Sequence, residues 1–257
     1  MKKVLAAALL CTVSSAFATW DLFPAQDAGK GEAKLGFNYF SLDKLSNMGI
    51  NIGARYSIIE GLEAAVLLDG SNGTPAGGYV LTCSVDGNDC DGKGLNQPAI
   101  GVRYWLPMGL GIAADVILPA GGKDLVGDEP QLGLNAGIQF STKITPELAL
   151  GSEALFTVIN KVAKDVSGGV NLDAALELDY SVGAVTPFLG VDLQQGLTKG
   201  DMEEAAKMLL GLSVGVTFDI NESMYAQAEF WTRLVQDKDT VGDKKPMNIS
   251  ATYGIKF

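Results

Sequence analysis

The sequence predicts an all-β protein, a closed antiparallel up-and-down transmembrane β-barrel of about twelve strands. Three observations predict it. Apolar and polar side chains alternate along most of the chain, as they do in strands that have two different faces. The connections between the alternating runs are short and long in turn. No later stretch is long and apolar enough for a spanning helix, so only strands could carry this chain across a bilayer.

The run from 46 to 58 is the clearest example of the alternation. Met48 and Ile50 lie on the apolar parity, whereas Gly49 and Asn51 lie on the polar parity. The predicted strands are 32–41, 46–58, 62–70, 96–106, 110–119, 130–142, 148–158, 169–180, 186–195, 207–219, 224–234 and 248–257. A sheet of such strands must pair its first strand with its last, because an open edge would leave unpaired backbone groups in lipid.

The connections between these runs differ in length according to the side of the sheet. Those near residues 60, 108, 145, 183 and 221 are short. Longer connections, rich in Gly, Asp and Lys, occupy 71–95, 119–129, 159–168, 196–206 and 235–245, and the moderate connection at 41–46 is the exception. Short turns at one end and long loops at the other are typical of membrane barrels, and a soluble sandwich has no reason to sort its loops in this way.

The last run, Asn248 to Phe257, ends the given chain on an aromatic residue of the apolar parity. Ile249, Tyr253 and Ile255 share that parity. The stretch resembles the closing strand of bacterial outer-membrane barrels, whose last residue is typically Phe with apolar residues at every second position before it. The resemblance implies a small porin-like barrel in the outer membrane of a Gram-negative bacterium, in contact with outer-membrane lipid.

The amino-terminal residues have the pattern of a secretory signal peptide. Lys2 and Lys3 precede a short apolar run, and the small-x-small site ends at Ala18. We therefore expect a signal peptide at 1–18, cleaved after Ala18, a periplasmic segment at 19–31 and the barrel at 32–257.

Composition excludes several classes of function. The chain carries 19 basic and 30 acidic residues, a formal net charge of −11, which argues against a nucleic-acid partner. It contains no histidine, so neither a Ser-His-acid triad nor histidine metal ligation is available. The sequence therefore predicts no enzyme and no cofactor.

Charged residues on the polar parity are predicted to face the lumen. The basic ones lie on runs that become neighbours when the barrel closes: Lys34, Arg55, Arg103, Arg233 and Lys256. The acidic ones lie mainly on the opposite wall: Asp115, Glu153, Asp173, Glu177, Asp179, Asp192 and Asp219, with Glu63, Asp69 and Glu229 on the basic side. This segregation resembles the transverse field of general porins. The predicted selectivity residues are Lys34, Arg55, Arg103, Asp115, Glu153, Glu177, Asp192, Glu229 and Arg233.

These features favour a narrow channel for small polar or cationic solutes, because an anion entering it would meet uncompensated negative charge. Inward glycines leave room in the lumen, and either the 71–95 insertion or the segment from Trp20 to Lys30 is long enough to fold inward and narrow it. The alternative is a plugged structural or adhesion barrel in which the charges pair across the lumen and acidic loops are displayed outside.

The 71–95 insertion contains Cys83 and Cys90, with six residues between them. In an exported protein such a pair is predicted to form a loop disulfide rather than a metal site. The nearby stretch from Asp86 to Asp91 is predicted to be a solvated acidic loop. Loose calcium binding is the alternative, although no register matches an EF-hand.

Overall fold

The architecture is that of a computed structural model, which describes residues 22–23, 27–68, 78–91, 93–121, 132–159, 161–163, 166–167, 169–198, 208–236 and 244–257. All regular structure within these ranges is β-strand. None of these residues forms a helix of the length and hydropathy needed to span a membrane.

The described residues form seventeen strands. They are β1 (Gly31–Leu42), β2 (Leu45–Ile59), β3 (Leu62–Leu68), β4 (Tyr79–Val85), β5 (Asn88–Asp89), β6 (Gly94–Leu95), β7 (Ala99–Trp105), β8 (Leu110–Ile117), β9 (Gly133–Lys143), β10 (Leu148–Ile159), β11 (Lys161–Ala163), β12 (Val166–Ser167), β13 (Val170–Tyr180), β14 (Val185–Gly196), β15 (Leu209–Asn221), β16 (Met224–Val235) and β17 (Met247–Lys256). The short strands β4, β5, β6, β11 and β12 belong to two of the long connections, and the other strands build the barrel.

The barrel is a closed antiparallel sheet of twelve strands, as the sequence predicts. Each barrel strand pairs with the barrel strands that precede and follow it in the chain. Closure comes from β1 and β17, which pair along their length, with Lys34 opposite Gly254 and Tyr39 opposite Ile249. This closure leaves no unpaired barrel edge, which is the requirement that lipid places on a sheet.

The two faces of each strand have opposite chemistry. On β1, Phe37 is 54% exposed on the outside, whereas Asn38 and Phe40 on the inside are buried. The same arrangement, with apolar side chains outside and polar side chains inside, is found around the barrel. Arg103, Gln139 and other polar side chains are almost fully buried, while leucines, isoleucines and valines are exposed. Apolar side chains cover the outside, as expected for a barrel surface in contact with lipid rather than water.

Outward-facing aromatic residues mark the end of the barrel that has the short turns. One lies a few residues before that end on every second barrel strand, namely Tyr56, Tyr104, Phe140, Tyr180, Phe218 and Tyr253, and all six are exposed. Aromatic rings favour the boundary between hydrocarbon and headgroups, so this ring of residues defines one edge of the apolar band.

The 71–95 insertion differs from the inward-folding loop that the sequence allowed. Its described part continues the wall of the barrel, because β4 pairs with the first half of β2, with Cys83 opposite Asn47. β3 pairs with the second half of the same strand. Strand β2 is longer than β3. The backbone groups of β2 that extend beyond β3 pair with β4 instead. Residues 69–77 lie outside the described part of the chain.

The predicted boundaries match within a few residues. The largest differences are three residues, at the start of β9, which begins at Gly133 rather than at residue 130, and at the start of β7, which begins at Ala99 rather than at residue 96. Pro98 has no backbone N–H with which to extend the ladder, and the backbone N–H of Gln97 is taken by the side chain of Asn96 at 2.9 Å.

Candidate functional site: the lumen

The nine predicted selectivity residues all lie on barrel strands at inward-facing positions. Seven are buried, namely Arg55, Arg103, Asp115, Glu153, Glu177, Asp192 and Arg233, while Lys34 and Glu229 are partly exposed. Among the other predicted lumen charges, Lys256 and Asp219 form a partly exposed ion pair at 3.8 Å, and Asp69 lies outside the described residues.

Arg55 lies between two carboxylates on its own side of the barrel. Its Nε and Nη2 donate to Glu32 Oε2 at 2.8 and 2.7 Å, and Nη1 lies 4.0 Å from Glu63 Oε2. The hydroxyl of Tyr225, from the other side of the β1–β17 closure, donates to the second oxygen of Glu32. All four side chains are buried, so this cluster ties β1, β2, β3 and β16 together.

Arg103 forms a second compact ion pair. Its Nη1 donates to Asp115 Oδ1 at 2.6 Å and its Nη2 lies 3.3 Å from Oδ2, which makes the contact bidentate. The sequence placed Asp115 on the acidic wall, whereas the structure places it against a base on the next strand. Arg55 and Arg103 are therefore balanced locally by carboxylates rather than facing acids across the lumen.

Neutral groups donate hydrogen bonds to two carboxylates, Asp173 on β13 and Glu153 on β10. Asp173 accepts from the hydroxyl of Thr157 at 2.6 Å and from Nε2 of Gln194 at 3.0 Å. Glu153 accepts from Nε2 of Gln139 at 3.0 Å. Hydrogen bonds from hydroxyl and amide groups stabilise a carboxylate but leave its charge uncancelled.

Asp192 belongs to a mixed cluster on β14 and β16. The indole N–H of Trp231 donates to Asp192 Oδ1 at 2.7 Å, and the guanidinium of Arg233 lies 5.4 Å from the centre of the Trp231 ring. The bond passes over Gly211 on β15, where an added Cβ would lie 2.1 Å from the Asp192 carboxylate and 2.6 Å from the indole nitrogen. Glycine at position 211 leaves room for this contact, and a larger residue would force the Asp192 and Trp231 side chains to shift.

Two residues of the amino-terminal segment lie inside the barrel. Leu22 is 0% exposed and packs on Ala175, and a Cβ at Gly151 would lie 2.8 Å from its Cβ. The carbonyl of Phe23 accepts from Arg55 Nη1 at 3.4 Å. Gly151 and Ala175 are on β10 and β13, across the barrel from Arg55 on β2. The Leu22–Phe23 pair therefore bridges the lumen, as the sequence allowed for the segment from Trp20 to Lys30, whereas 19–21 and 24–26 lie outside the described residues.

Several residues that line the lumen were not predicted from the sequence. Glu32 and Tyr225 share the polar parity of their strands, so the alternation could have found them. Trp231 was also not predicted as a lumen residue, because it lies on the polar parity of its strand but carries no charge. Leu22 carries no signal at all, because no strand periodicity includes it.

Outside the lumen, Cys83 and Cys90 form a disulfide with a Cα–Cα distance of 5.2 Å. It closes the hairpin of β4 and β5, which also contacts the β1–β2 turn through Lys44 and Asp86 at 2.6 Å. The hydrogen bond to Asp86 raises the pKa of the exposed Lys44 ammonium. Within the described part of the chain, acidic and cysteine side chains do not gather in a group of three that could hold a metal ion.

Comparison with known proteins gives structural neighbours only. No protein-family model and no curated protein matches the sequence. The COG4313 outer membrane channel from Pseudomonas putida F1 is similar with a TM-score of 0.71 and 13% identity, over 91% of this chain and 98% of that one. The NanC porin gives a TM-score of 0.57 at 9% identity, and the KdgM porin in complex with disordered oligogalacturonate gives 0.52 at 8%. Both matches cover 86% of this chain and 98% of the other.

At these identities the similarity concerns the fold. This chain is a closed antiparallel barrel of twelve strands with an apolar outer face and a polar lumen. The chain has the fold of outer-membrane porin and channel barrels.

Proposed function

We propose that this protein is an outer-membrane channel for passive passage of small polar or cationic solutes. The observation that carries the proposal is the acidic wall, which we define as Glu153, Asp173, Glu177 and Asp192 on β10, β13 and β14. Hydroxyl, amide and indole groups, which carry no charge themselves, donate hydrogen bonds to Glu153, Asp173 and Asp192. The opposite wall is closer to neutral, because Arg55 and Arg103 are each held by carboxylates.

A wall of this kind acts on ions through its field. In a narrow lumen surrounded by lipid, an excess of carboxylates over bases along one wall concentrates cations and excludes anions. Neutral polar solutes meet hydrogen-bonding groups without an electrostatic barrier. The structural neighbours, an outer membrane channel and two porins, support passage of solutes as the role. Export with cleavage after Ala18 and contact with outer-membrane lipid belong to the same proposal, as does a non-catalytic role.

The test is ion selectivity in planar bilayers under a salt gradient. The triple variant Glu153→Gln, Glu177→Gln, Asp192→Asn removes three charges, keeps the shape of the side chains and leaves one acceptor oxygen on each. We expect discrete, cation-preferring conductance steps from the wild type and a reversal potential closer to zero from the variant. The matched control, Asp89→Asn, removes a charge from the exposed hairpin and should leave the reversal potential unchanged. An unchanged reversal potential in the triple variant removes these residues from the mechanism.

A plugged structural or adhesion barrel is the second candidate, and a specific observation favours it. The Leu22–Phe23 pair crosses the lumen, with Leu22 in contact with the far wall. In that case the protein would insert into bilayers without conductance steps. Recordings that stay silent for correctly folded, inserted protein would support the plugged barrel and reject the channel.

A further inference from the structure

The side chain of Leu22 rests on two small residues within the acidic wall. These are Gly151 on β10 and Ala175 on β13, diagonal neighbours on the lumen face of paired strands, and we call the place above them the leucine seat. Leu22 is fully buried and packs on Ala175. A Cβ at Gly151 would lie 2.8 Å from the Leu22 Cβ and 3.0 Å from the Phe23 ring. The seat therefore has room for an aliphatic group because position 151 is glycine.

Carboxylates flank both residues of the leucine seat. The strand register places Glu177 directly opposite Gly151, and Glu153 directly opposite Ala175. Asp192 on β14 lies opposite Ala175 on its other side. Side chains that lie directly opposite on one face of a sheet have Cβ atoms about 5 Å apart. An apolar group on the seat therefore has three acidic side chains as its nearest neighbours along the wall.

Leu22 also shows that a group can reach this seat from inside the barrel. It belongs to none of the strands, so its isobutyl group meets the wall from the lumen side. This group fits the small-residue floor, but it carries no charge to match the carboxylates around it. A ligand that keeps the isobutyl shape and adds a positive charge matches both the floor and its acidic surroundings.

We propose that the leucine seat is a binding subsite for a small aliphatic ammonium ion, which takes the place of Leu22. The branched hydrocarbon part of the ion rests on Gly151 and Ala175. Its ammonium group donates to the neighbouring carboxylates of the acidic wall, and such charge-assisted hydrogen bonds are about twice as strong as neutral ones. An ionised carboxylate can accept an ammonium N–H in addition to a bond from a neutral group. An anion of the same shape meets charge of its own sign.

The subsite rests on the proposed function, because its ligand is a cationic solute of the proposed channel. It narrows that function to cations that carry an apolar group. The Leu22–Phe23 pair and the solute compete for one place, so the pair leaves the seat when the solute binds. Binding is measured without conductance, and the subsite and the channel can therefore fail separately.

The experiment is a titration of the folded protein in detergent with isobutylammonium, followed by tryptophan fluorescence. Trp231 reports on the seat, because its indole N–H donates to Asp192. The Leu22→Ala variant shortens the competing leucine, and we expect it to bind isobutylammonium up to about thirtyfold more tightly than the wild type does. Isobutanol, which has the same shape without the charge, should bind this variant about tenfold more weakly. Isobutyrate should show no saturable binding, because its charge has the sign of the wall.

Matched variants in the Leu22→Ala background separate charge from shape. Adding Glu153→Gln and Glu177→Gln should weaken isobutylammonium binding about tenfold and leave isobutanol binding unchanged. Adding Gly151→Ala should weaken both, because the new Cβ enters the seat. Asp89→Asn, on the exposed hairpin, should change neither. Folding is judged by gel mobility before and after heating, and if Leu22→Ala does not fold, Leu22→Val replaces it with a smaller gain in affinity.

The proposal is overturned if isobutanol binds Leu22→Ala as tightly as isobutylammonium does, which would mean that the seat is an apolar cavity only. It is also overturned if Leu22→Ala binds isobutylammonium no more tightly than the wild type, or if the added glutamines leave the affinity unchanged. Cation-preferring conductance without saturable isobutylammonium binding would reject the subsite and keep the channel. Silent recordings from protein that binds isobutylammonium would reject the channel and keep the subsite.

Discussion

The contact of Leu22 with the far wall predicts that a single side chain limits opening of the lumen. Replacing Leu22 with alanine removes most of a fully buried leucine side chain, which is 0% exposed in the barrel. Burial of a leucine contributes about 2 kcal/mol. The variant should therefore raise the equilibrium constant for release of the Leu22–Phe23 pair from the lumen by about thirtyfold.

The measurement is the open fraction of single channels in planar bilayers at fixed voltage and salt. The Leu22→Ala variant should spend a larger fraction of time in conducting states than the wild type. Leu189→Ala is the matched control, because it shortens a leucine that is 49% exposed on the outside of β14 and away from the lumen. Its open fraction should equal that of the wild type.

The reasoning is refuted if Leu22→Ala leaves the open fraction at the wild-type value while the melting temperature of the barrel is unchanged. That result would mean that the apolar contact with Gly151 and Ala175 does not hold the pair in the lumen. An equal rise in the control would also refute it, because the effect would then follow from loss of leucine surface anywhere on the barrel.

Two further predictions concern stability. Arg55→Leu should destabilise the barrel by about 3 kcal/mol, because it leaves the buried Glu32 carboxylate without its cation, and adding Glu32→Leu should restore much of the loss. Thermal unfolding followed by circular dichroism checks both variants, and an unaltered melting temperature for Arg55→Leu would contradict the argument. Cys83→Ser should leave the melting temperature of the barrel within a few degrees of the wild type and increase proteolysis of the hairpin, because the disulfide closes only a short ring. Barrel unfolding at a much lower temperature would show that the hairpin supports the wall.

Much of the fold was predictable because strand periodicity is a local property. Successive side chains point to opposite faces, so the alternation of Met48, Gly49 and Ile50 already assigns each residue to lipid or to lumen. The alternation of short and long connections orders the strands as an up-and-down sheet. The closed barrel is therefore confirmed almost as predicted.

The details of the lumen were less predictable, because they depend on which inward residues meet. Glu32 and Tyr225 are 193 positions apart and touch only because β1 and β17 close the barrel. The placement of Asp115 beside Arg103 depends on the β7–β8 register. Periodicity predicts on which face of its strand a residue lies but not its position along the barrel axis. Ion pairing depends on both.

By itself, the sequence determined the class of fold, the direction in which each side chain points and the acidic excess, because these follow from side-chain order and composition. Only the tertiary structure decided that β4 extends the wall beside β2 and that Leu22 reaches the far wall of the lumen. It also decided that Arg55 and Arg103 pair with carboxylates on their own side of the barrel. These outcomes depend on contacts between segments distant in the chain, and such contacts form only when closure of the sheet brings the segments to the same depth.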